Sequence, residues 1–333
     1  MSAVGDAVHV LPLVTALKRH NPRSRITWIL QPGPASLVRG HPDVDEIILF
    51  ERKRGWRGWR AFADIRRVLR ERSFDVVLSL QVYLKAGIVT QFTRAPVKLG
   101  FDRARARDLN WLFTTHRIPS RANQHVQDQY FEFLDALGVA HEPVTWRLGP
   151  WPHEATARRE FLASIPRPAV TVVLATSNPQ KDWIPERWAE VVDALYEDFG
   201  LRPVLAGGRS AREVEVEETI MRLARHKPHS TLGVPLRELV WLIDASDLVI
   251  SPDTGPLHMS VALDTPVIGL IGYNNPKRIG PYRKYHDLML DVYGDPGENY
   301  PISPDHREDR MRRIQVADVI DRVRLWKARY HQR

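Results

Sequence analysis

Short β-rich apolar runs alternate with longer amphipathic stretches along most of this chain, and that alternation decides the fold class. Runs at 26–30, 46–50 and 75–80 read as strands, with helices at 7–20, 59–72 and 125–137. The second half repeats the pattern, with strands at 169–174, 203–206, 248–251 and 267–271 and helices at 185–198, 210–226, 235–245 and 256–263. Strand–helix–strand alternation implies α/β structure with parallel sheets and right-handed crossovers. A length of 333 residues suits two domains. Gly149, Pro150, Trp151, Pro152, Pro166 and Pro168 gather around the expected junction, since proline density marks linkers. The expected division is 1–155, 156–315 and a terminal segment, 316–333, whose helix at 316–330 packs on either half, with the N-terminal domain as one candidate.

The start of the chain departs from this pattern. A parallel α/β domain opens with a buried strand that delivers the chain to its first turn. Here only Met1 to Val4 precede Gly5 and Asp6, too few for an ordinary strand of about five or six residues. Either the start is truncated or misread, or the first sheet lacks its central strand. If it is truncated, residues encoded upstream are expected to supply an apolar strand.

Charge narrows the partners. Lys and Arg number 48 against 40 Asp and Glu, a net charge of +8. Such a balance points to an anionic partner: nucleic acid, nucleotide, phosphorylated lipid or membrane surface. The chain has no Cys, which excludes disulfides, thiolate nucleophiles and cysteine-ligated metals and fits a reducing compartment. No apolar run approaches the ~20 residues of a membrane span. Met1 to His20 lacks the basic-then-apolar order of a secretory signal.

Several strand ends carry residues suited to anion chemistry. After the run at 248–251 come Asp253, Thr254, Gly255, Pro256 and His258. Gly255 permits close backbone approach and Pro256 suits a first helical turn. A carboxylate, a hydroxyl and the N–H groups of a helix N-terminus then stand at the carboxyl end of a parallel strand, where open α/β sheets bind ligands. Asp253 and Thr254 would equally serve as simple helix caps. Thr176, Ser177 and Lys181 follow the run at 169–174 and offer two hydroxyls and an ammonium to phosphate oxygens. Asp6 stands at the start of the helix at 7–20, either as its cap or as a general base. Gly207 and Gly208 make a turn that matches neither a dinucleotide fingerprint nor a P-loop. Asn275 to Tyr282 holds two cations and a rigid Gly-Pro turn. Asp43 and Asp45 precede a strand and read as a turn, and no His cluster supports a metal site.

The segment Arg52-Lys-Arg-Gly-Trp-Arg-Gly-Trp-Arg60 is the most basic. From Glu51 to Arg72 nine Lys or Arg face three Asp or Glu, and Trp59, Phe62, Ile65 and Leu69 keep helical spacing. Arg52, Lys53, Arg54, Trp56, Arg57, Trp59 and Arg60 suit a membrane interface with anionic lipid. The same composition would suit nucleic acid, or a solvated helix whose stripe faces the core.

In their order, these segments resemble glycosyltransferase family 9, the lipopolysaccharide heptosyltransferases, over nearly the whole chain. The resemblance is carried by Ser2-Ala-Val-Gly-Asp6 with Pro12, Leu17 and Lys18; by Lys181-Asp-Trp183 with Pro185, Glu186 and Trp188; by Ser251-Pro-Asp-Thr-Gly-Pro-Leu-His258 with Ala262, Leu263 and Pro266; and by Gly280-Pro-Tyr282. It implies a GT-B fold, two Rossmann-like domains facing each other across a cleft. It also implies an inverting, metal-independent transfer, without a cofactor, of a sugar from a nucleotide diphosphate donor, typically ADP-heptose, to the lipopolysaccharide inner core. By the resemblance Asp6 is the catalytic base and Lys181 stabilises the departing diphosphate. Thr176, Ser177 and Lys181 would contact donor phosphate and sugar. Asp253, Thr254, Gly255 and His258 would form the heptose and pyrophosphate loop, and Glu213 would bind the ribose. The implied acceptor is an anionic glycolipid, held by the basic segment at 52–60. The protein would be cytoplasmic and peripheral on the inner face of the inner membrane, with no nucleic-acid partner. A nucleotide-sugar epimerase, or a GT-B enzyme with another donor, is the alternative on the same fold.

Overall fold

The computed structural model describes residues 3–51 and 57–331. The chain divides into two compact units, Met1–Ala122 with Gln127–Thr145, and Asn123–Val126 with Trp146–Arg333. Each is built on parallel strands, as the alternation at 26–80 and 169–271 requires.

The first unit runs α1 (Val4–His20), β1 (Thr27–Leu30), α2 (Pro32–Val38), β2 (Glu46–Leu49), α3 (Arg57–Arg70), β3 (Val76–Ser79), α4 (Leu84–Phe92), β4 (Val97–Gly100), β5 (His116–Arg117) and α5 (Val126–Ala136). β1 pairs with β2, and β3, β4 and β5 form a separate sheet, all parallel. Helix α1 buries every residue from Ala7 to Ala16. It begins three residues before the expected start, with Ala3 as its N-cap, and no side chain closes the cap. Asp6 therefore lies inside the first turn and is not the cap. Its charge suits the helix N-terminus, as Lys18, Arg19 and His20 suit the last turn.

Helices α2 and α4 and strands β4 and β5 were not foreseen from sequence. Pro32-Gly-Pro34 looks like a turn, but proline at the first helical position surrenders an N–H that has no partner there anyway. α4 buries only Gly87 and Thr90, so it shows no apolar stripe. β4 holds a buried Lys98 in its centre, which breaks the run; burial depresses the lysine pKa. In α3, Ile65 and Leu69 pack on Ile48 of β2. Its stripe faces the core, as the solvated-helix reading has it. Trp59 is an exception, 74% exposed.

The second unit runs α6 (Ala155–Leu162), β6 (Ala169–Val173), α7 (Pro185–Glu197), β7 (Arg202–Ala206), α8 (Ala211–Leu223), β8 (His229–Ser230), α9 (Leu236–Asp244), β9 (Leu248–Pro252), α10 (Gly255–Ala262), β10 (Val267–Ile271), α11 (Pro276–Ile279), β11 (Leu290–Asp291) and α12 (Val316–Arg329). Six parallel strands lie in the order β8-β7-β6-β9-β10-β11. β6, β9 and β10 are buried at every position, which accounts for their largely apolar sequence; the hydroxyls of the two polar residues, Thr171 and Ser251, are hydrogen-bonded to Ser246 and to the Pro252 carbonyl. α12 packs on α7 within this unit.

Winding proceeds from β6 outward to β7 and β8, then returns past β6 to β9, β10 and β11. The switch point is therefore between β6 and β9. Ligands of open α/β sheets bind outside the carboxyl ends of the strands at such a point.

Candidate active site

Two loops meet at that switch point. The chain leaving β6 carries Lys181, and the chain leaving β9 carries Asp253. Lys181 Nζ donates to Asp253 Oδ2 at 2.7 Å and lies 3.5 Å from the Asp253 carbonyl oxygen. The pair is largely buried, with 19% and 9% of the side chains exposed. A third loop, after β10, brings Asn274, whose Nδ2 donates to the same Oδ2 at 2.6 Å.

The Lys181 loop is braced from below. Trp183 and the fully buried Trp188 of α7 pack edge to face at 4.8 Å, and Trp183 Nε1 donates to the Ile314 carbonyl at 3.1 Å. Asp182 accepts the Thr176 N–H at 2.7 Å, and Arg212 of α8 bonds both Asp182 and the Thr176 carbonyl. Burial is the largest influence on the Asp182 carboxyl and raises its pKa, against the pull of Thr176 and Arg212. The Thr176 hydroxyl is used internally, donating to the Asn178 carbonyl at 2.7 Å. Ser177 is exposed.

Asp253 and Thr254 do not behave as simple caps. The Asp253 carboxylate turns to Lys181 and Asn274, and Thr254, although the N-cap of α10, makes no side-chain cap bond. The α10 N-terminus thus opens with Gly255 buried beneath it. His258, one turn in, is buried with Nε2 3.9 Å from Asp253 Oδ1. Burial, reinforced by His125 and Lys181, lowers its pKa to about 3, so it is a neutral imidazole at ordinary pH. His125 bonds the Gly280 carbonyl at 2.9 Å, and its ring lies tilted against that of Tyr282 with centroids 4.9 Å apart. A Cβ at Gly280 would stand 2.6 Å from the Pro276 carbonyl, so only glycine fits there. An ammonium, a helix N-terminus and a neutral imidazole around one carboxylate make a site for a polar anionic ligand.

The profile of glycosyltransferase family 9 (heptosyltransferase) matches residues 62–294. The chain belongs to this family. As a family 9 protein it is a glycosyltransferase. The lipopolysaccharide core heptosyltransferase OpsX of Haemophilus influenzae is 29% identical, over 97% of this chain and 94% of its own. The family 9 glycosyltransferase of Veillonella parvula superposes with a TM-score of 0.80 at 21% identity, covering 98% of this chain and 95% of that one. The Escherichia coli heptosyltransferase WaaC, solved with ADP-2-deoxy-2-fluoro heptose, gives 0.73 at 21% identity over 98% and 97%. The fold is the GT-B type.

The remaining expected residues stand on other elements. Glu213, after β7, closes a capping box on α8: Oε1 accepts the Gly208 N–H at 2.6 Å and Oε2 the Ser210 N–H at 2.9 Å. Asp6 lies in the first unit, where Gln81, just after β3, donates to its Oδ2 at 3.3 Å. Arg52, Lys53, Arg54 and Trp56 lie outside the described residues, as does the side chain of Arg57; Trp59 and Arg60 are exposed.

Asn274, Asp182 and Arg212 carry no site role in the sequence reading. A signal existed for Asn274. β9 and β10 are parallel neighbours with Leu270 opposite Pro252, so the residues just past each end must approach. Asp182 stood within a recognised motif without a role, and Arg212 lies 30 positions from its partner, where spacing carries no information.

Proposed function

We propose that this glycosyltransferase moves a heptose from ADP-heptose to an inner-core lipopolysaccharide acceptor, with inversion and without a metal. The carrying observation is the Lys181–Asp253–Asn274 cluster beside the uncapped N-terminus of α10, at the switch point of the second sheet. Family membership and the ADP-heptose analogue held by the Escherichia coli relative support the donor.

In this reading Asp6 accepts the proton of the acceptor hydroxyl as its oxygen bonds to the anomeric carbon. The bond from that carbon to the diphosphate oxygen breaks, and the electron pair leaves with ADP. Lys181, with three N–H donors, and the α10 N-terminus meet the charge that develops there. Thr254, Gly255 and neutral His258 line the donor beside Asp253. Ser177 offers an exposed hydroxyl, while Thr176 shapes the loop. Glu213 offers its remaining lone pairs to the ribose.

The acceptor is an anionic glycolipid, so the enzyme works at the cytoplasmic face of the inner membrane. No helix among the described residues is long and apolar enough to cross a membrane. The basic segment ending in exposed Trp59 and Arg60 is the contact proposed there. The test is product analysis with ADP-heptose and a deep-core acceptor in the presence of EDTA. An inverted anomeric linkage formed at full rate is expected. A retained anomer, loss of turnover with EDTA, or conversion of donor to a new sugar nucleotide without acceptor would refute the reading.

A further inference from the structure

Lys181 has two claims on its ammonium. In the structure Nζ holds Asp253 Oδ2 at 2.7 Å, yet binding a diphosphate needs the same group to turn toward phosphate oxygens. Only 9% of the Asp253 side chain is exposed. A carboxylate so placed cannot replace a lost partner with water, and a buried charge left without a partner is strongly unfavourable. Held by Lys181 alone, Asp253 would keep the ammonium, and a diphosphate would bind only by breaking a nearly buried ion pair.

Asn274 changes that balance. A carboxylate only accepts hydrogen bonds, so the amide presents Nδ2, 2.6 Å from the same oxygen that Lys181 uses. Oδ2 therefore has two donors, and one remains when the ammonium leaves. Oδ1 gives no equal substitute, since His258 Nε2 is 3.9 Å from it, beyond hydrogen-bond length.

The loop after β10 is itself held in place. Asn274 forms an antiparallel bridge with His306, the Arg307 N–H donates to the Tyr273 carbonyl at 2.8 Å, and the Tyr273 and His306 rings stack with centroids 4.9 Å apart. Gly272 lies so close to the backbone of Met311 that a Cβ would stand 3.0 Å from its nitrogen. The next residue makes the contrast. Asn275 is 1% exposed; its Oδ1 accepts the Lys277 N–H at 3.1 Å and its Nδ2 donates to the Pro301 carbonyl at 2.7 Å. Asn275 spends its amide on its own surroundings, whereas the Asn274 amide reaches across to the loop after β9.

We propose that Asn274 is a positioning residue for the donor diphosphate: it keeps Asp253 satisfied while Lys181 turns from the carboxylate to phosphate. The inference rests on the diphosphate reading of the Lys181 site, and adds that a third loop sets how readily that turn is made. Lys181 exchanges one hydrogen bond for another, and Asp253 keeps the bond from Asn274.

The test is calorimetric titration of ADP, which carries the diphosphate without the sugar, into the wild type, Asn274→Ala and the double variant Asn274→Ala/Asp253→Asn. Asn274→Ala should weaken ADP binding at least about fivefold, within the range for residues coupled by contact, because Lys181 then stays on Asp253. Removing the charge at 253 releases the ammonium, so the double variant should bind ADP at least about threefold more tightly than Asn274→Ala. A role confined to holding the loop predicts no such recovery, since a second substitution does not repair a displaced loop. Asn274→Leu, which keeps bulk without a donor, repeats both comparisons should the alanine variant fail to fold, and melting temperatures are read alongside. Unchanged ADP affinity on losing the amide, or a loss that Asp253→Asn does not relieve, would overturn the proposal and leave the diphosphate site standing. Absence of ADP binding by the wild type would overturn that site, and the proposal with it.

Discussion

Lys181 and Asp253 are seventy-two positions apart, and the fold joins them because the strands preceding them, β6 and β9, are parallel neighbours. Each residue was legible as a candidate from its place after an apolar run. Their mutual bond was not, since two residues with separate functional readings give no hint that one would hold the other. Asp6 is the candidate whose role depends most on chemistry. Asp6→Asn keeps the shape of the side chain and removes its basicity. It is expected to lower kcat about 10²–10⁴-fold, the usual worth of a general base, while the melting shift produced by donor is kept. Near-normal turnover in that variant would remove Asp6 from the mechanism. His258 makes a prediction about pH. Unfolded, it takes a proton near the ordinary 6.5; folded, it resists protonation down to about 3. Between those values the unfolded state binds the extra proton, so stability from this group is complete above pH 6.5 and is lost as pH falls toward 3. His258→Gln should flatten the acid limb of a melting-temperature profile in that window. An unchanged limb would show that the imidazole titrates normally in the fold.

At the scale of elements, legibility followed burial on both faces. β6, β9 and β10 were read nearly to the residue because a parallel strand covered on both sides is mostly apolar on both faces. β4 was hidden by Lys98, α2 by its prolines, and α4 by the lack of an apolar stripe. The start of α1 was misjudged because Gly5 reads as a turn, whereas tertiary burial of the next ten residues carries the helix back to Val4. Trp188 shows how an element serves the site. It is fully buried in α7 and packs against Trp183, two residues past Lys181. Trp188→Ala should cost about 3–5 kcal/mol in chemical denaturation, the range for large buried aromatics, and should weaken donor binding through the loop. A loss below ~1 kcal/mol would mean that the site collapses around the missing ring.

For the whole molecule, the net charge of +8 and the exposed Trp59 bear on where the enzyme works. Cosedimentation with vesicles containing anionic lipid should exceed that with neutral vesicles, fall as salt rises, and drop in Trp59→Ala without a change in melting temperature. Equal binding to both vesicle types would argue against the membrane role. The two-unit α/β architecture was legible because strand–helix alternation permits little else, and the family resemblance survived because its motifs sit on loops at strand ends. The division of labour among loops is set by contacts between distant segments, which chain order does not reveal. The central claim is that the second unit holds the diphosphate of a nucleotide sugar through Lys181 and the α10 N-terminus. Calorimetric titration of ADP-heptose into the wild type and Lys181→Ala tests it most directly. Saturable binding that weakens at least tenfold in the variant, a loss of about 1.4 kcal/mol, is the predicted result; equal affinity in the two proteins would contradict it.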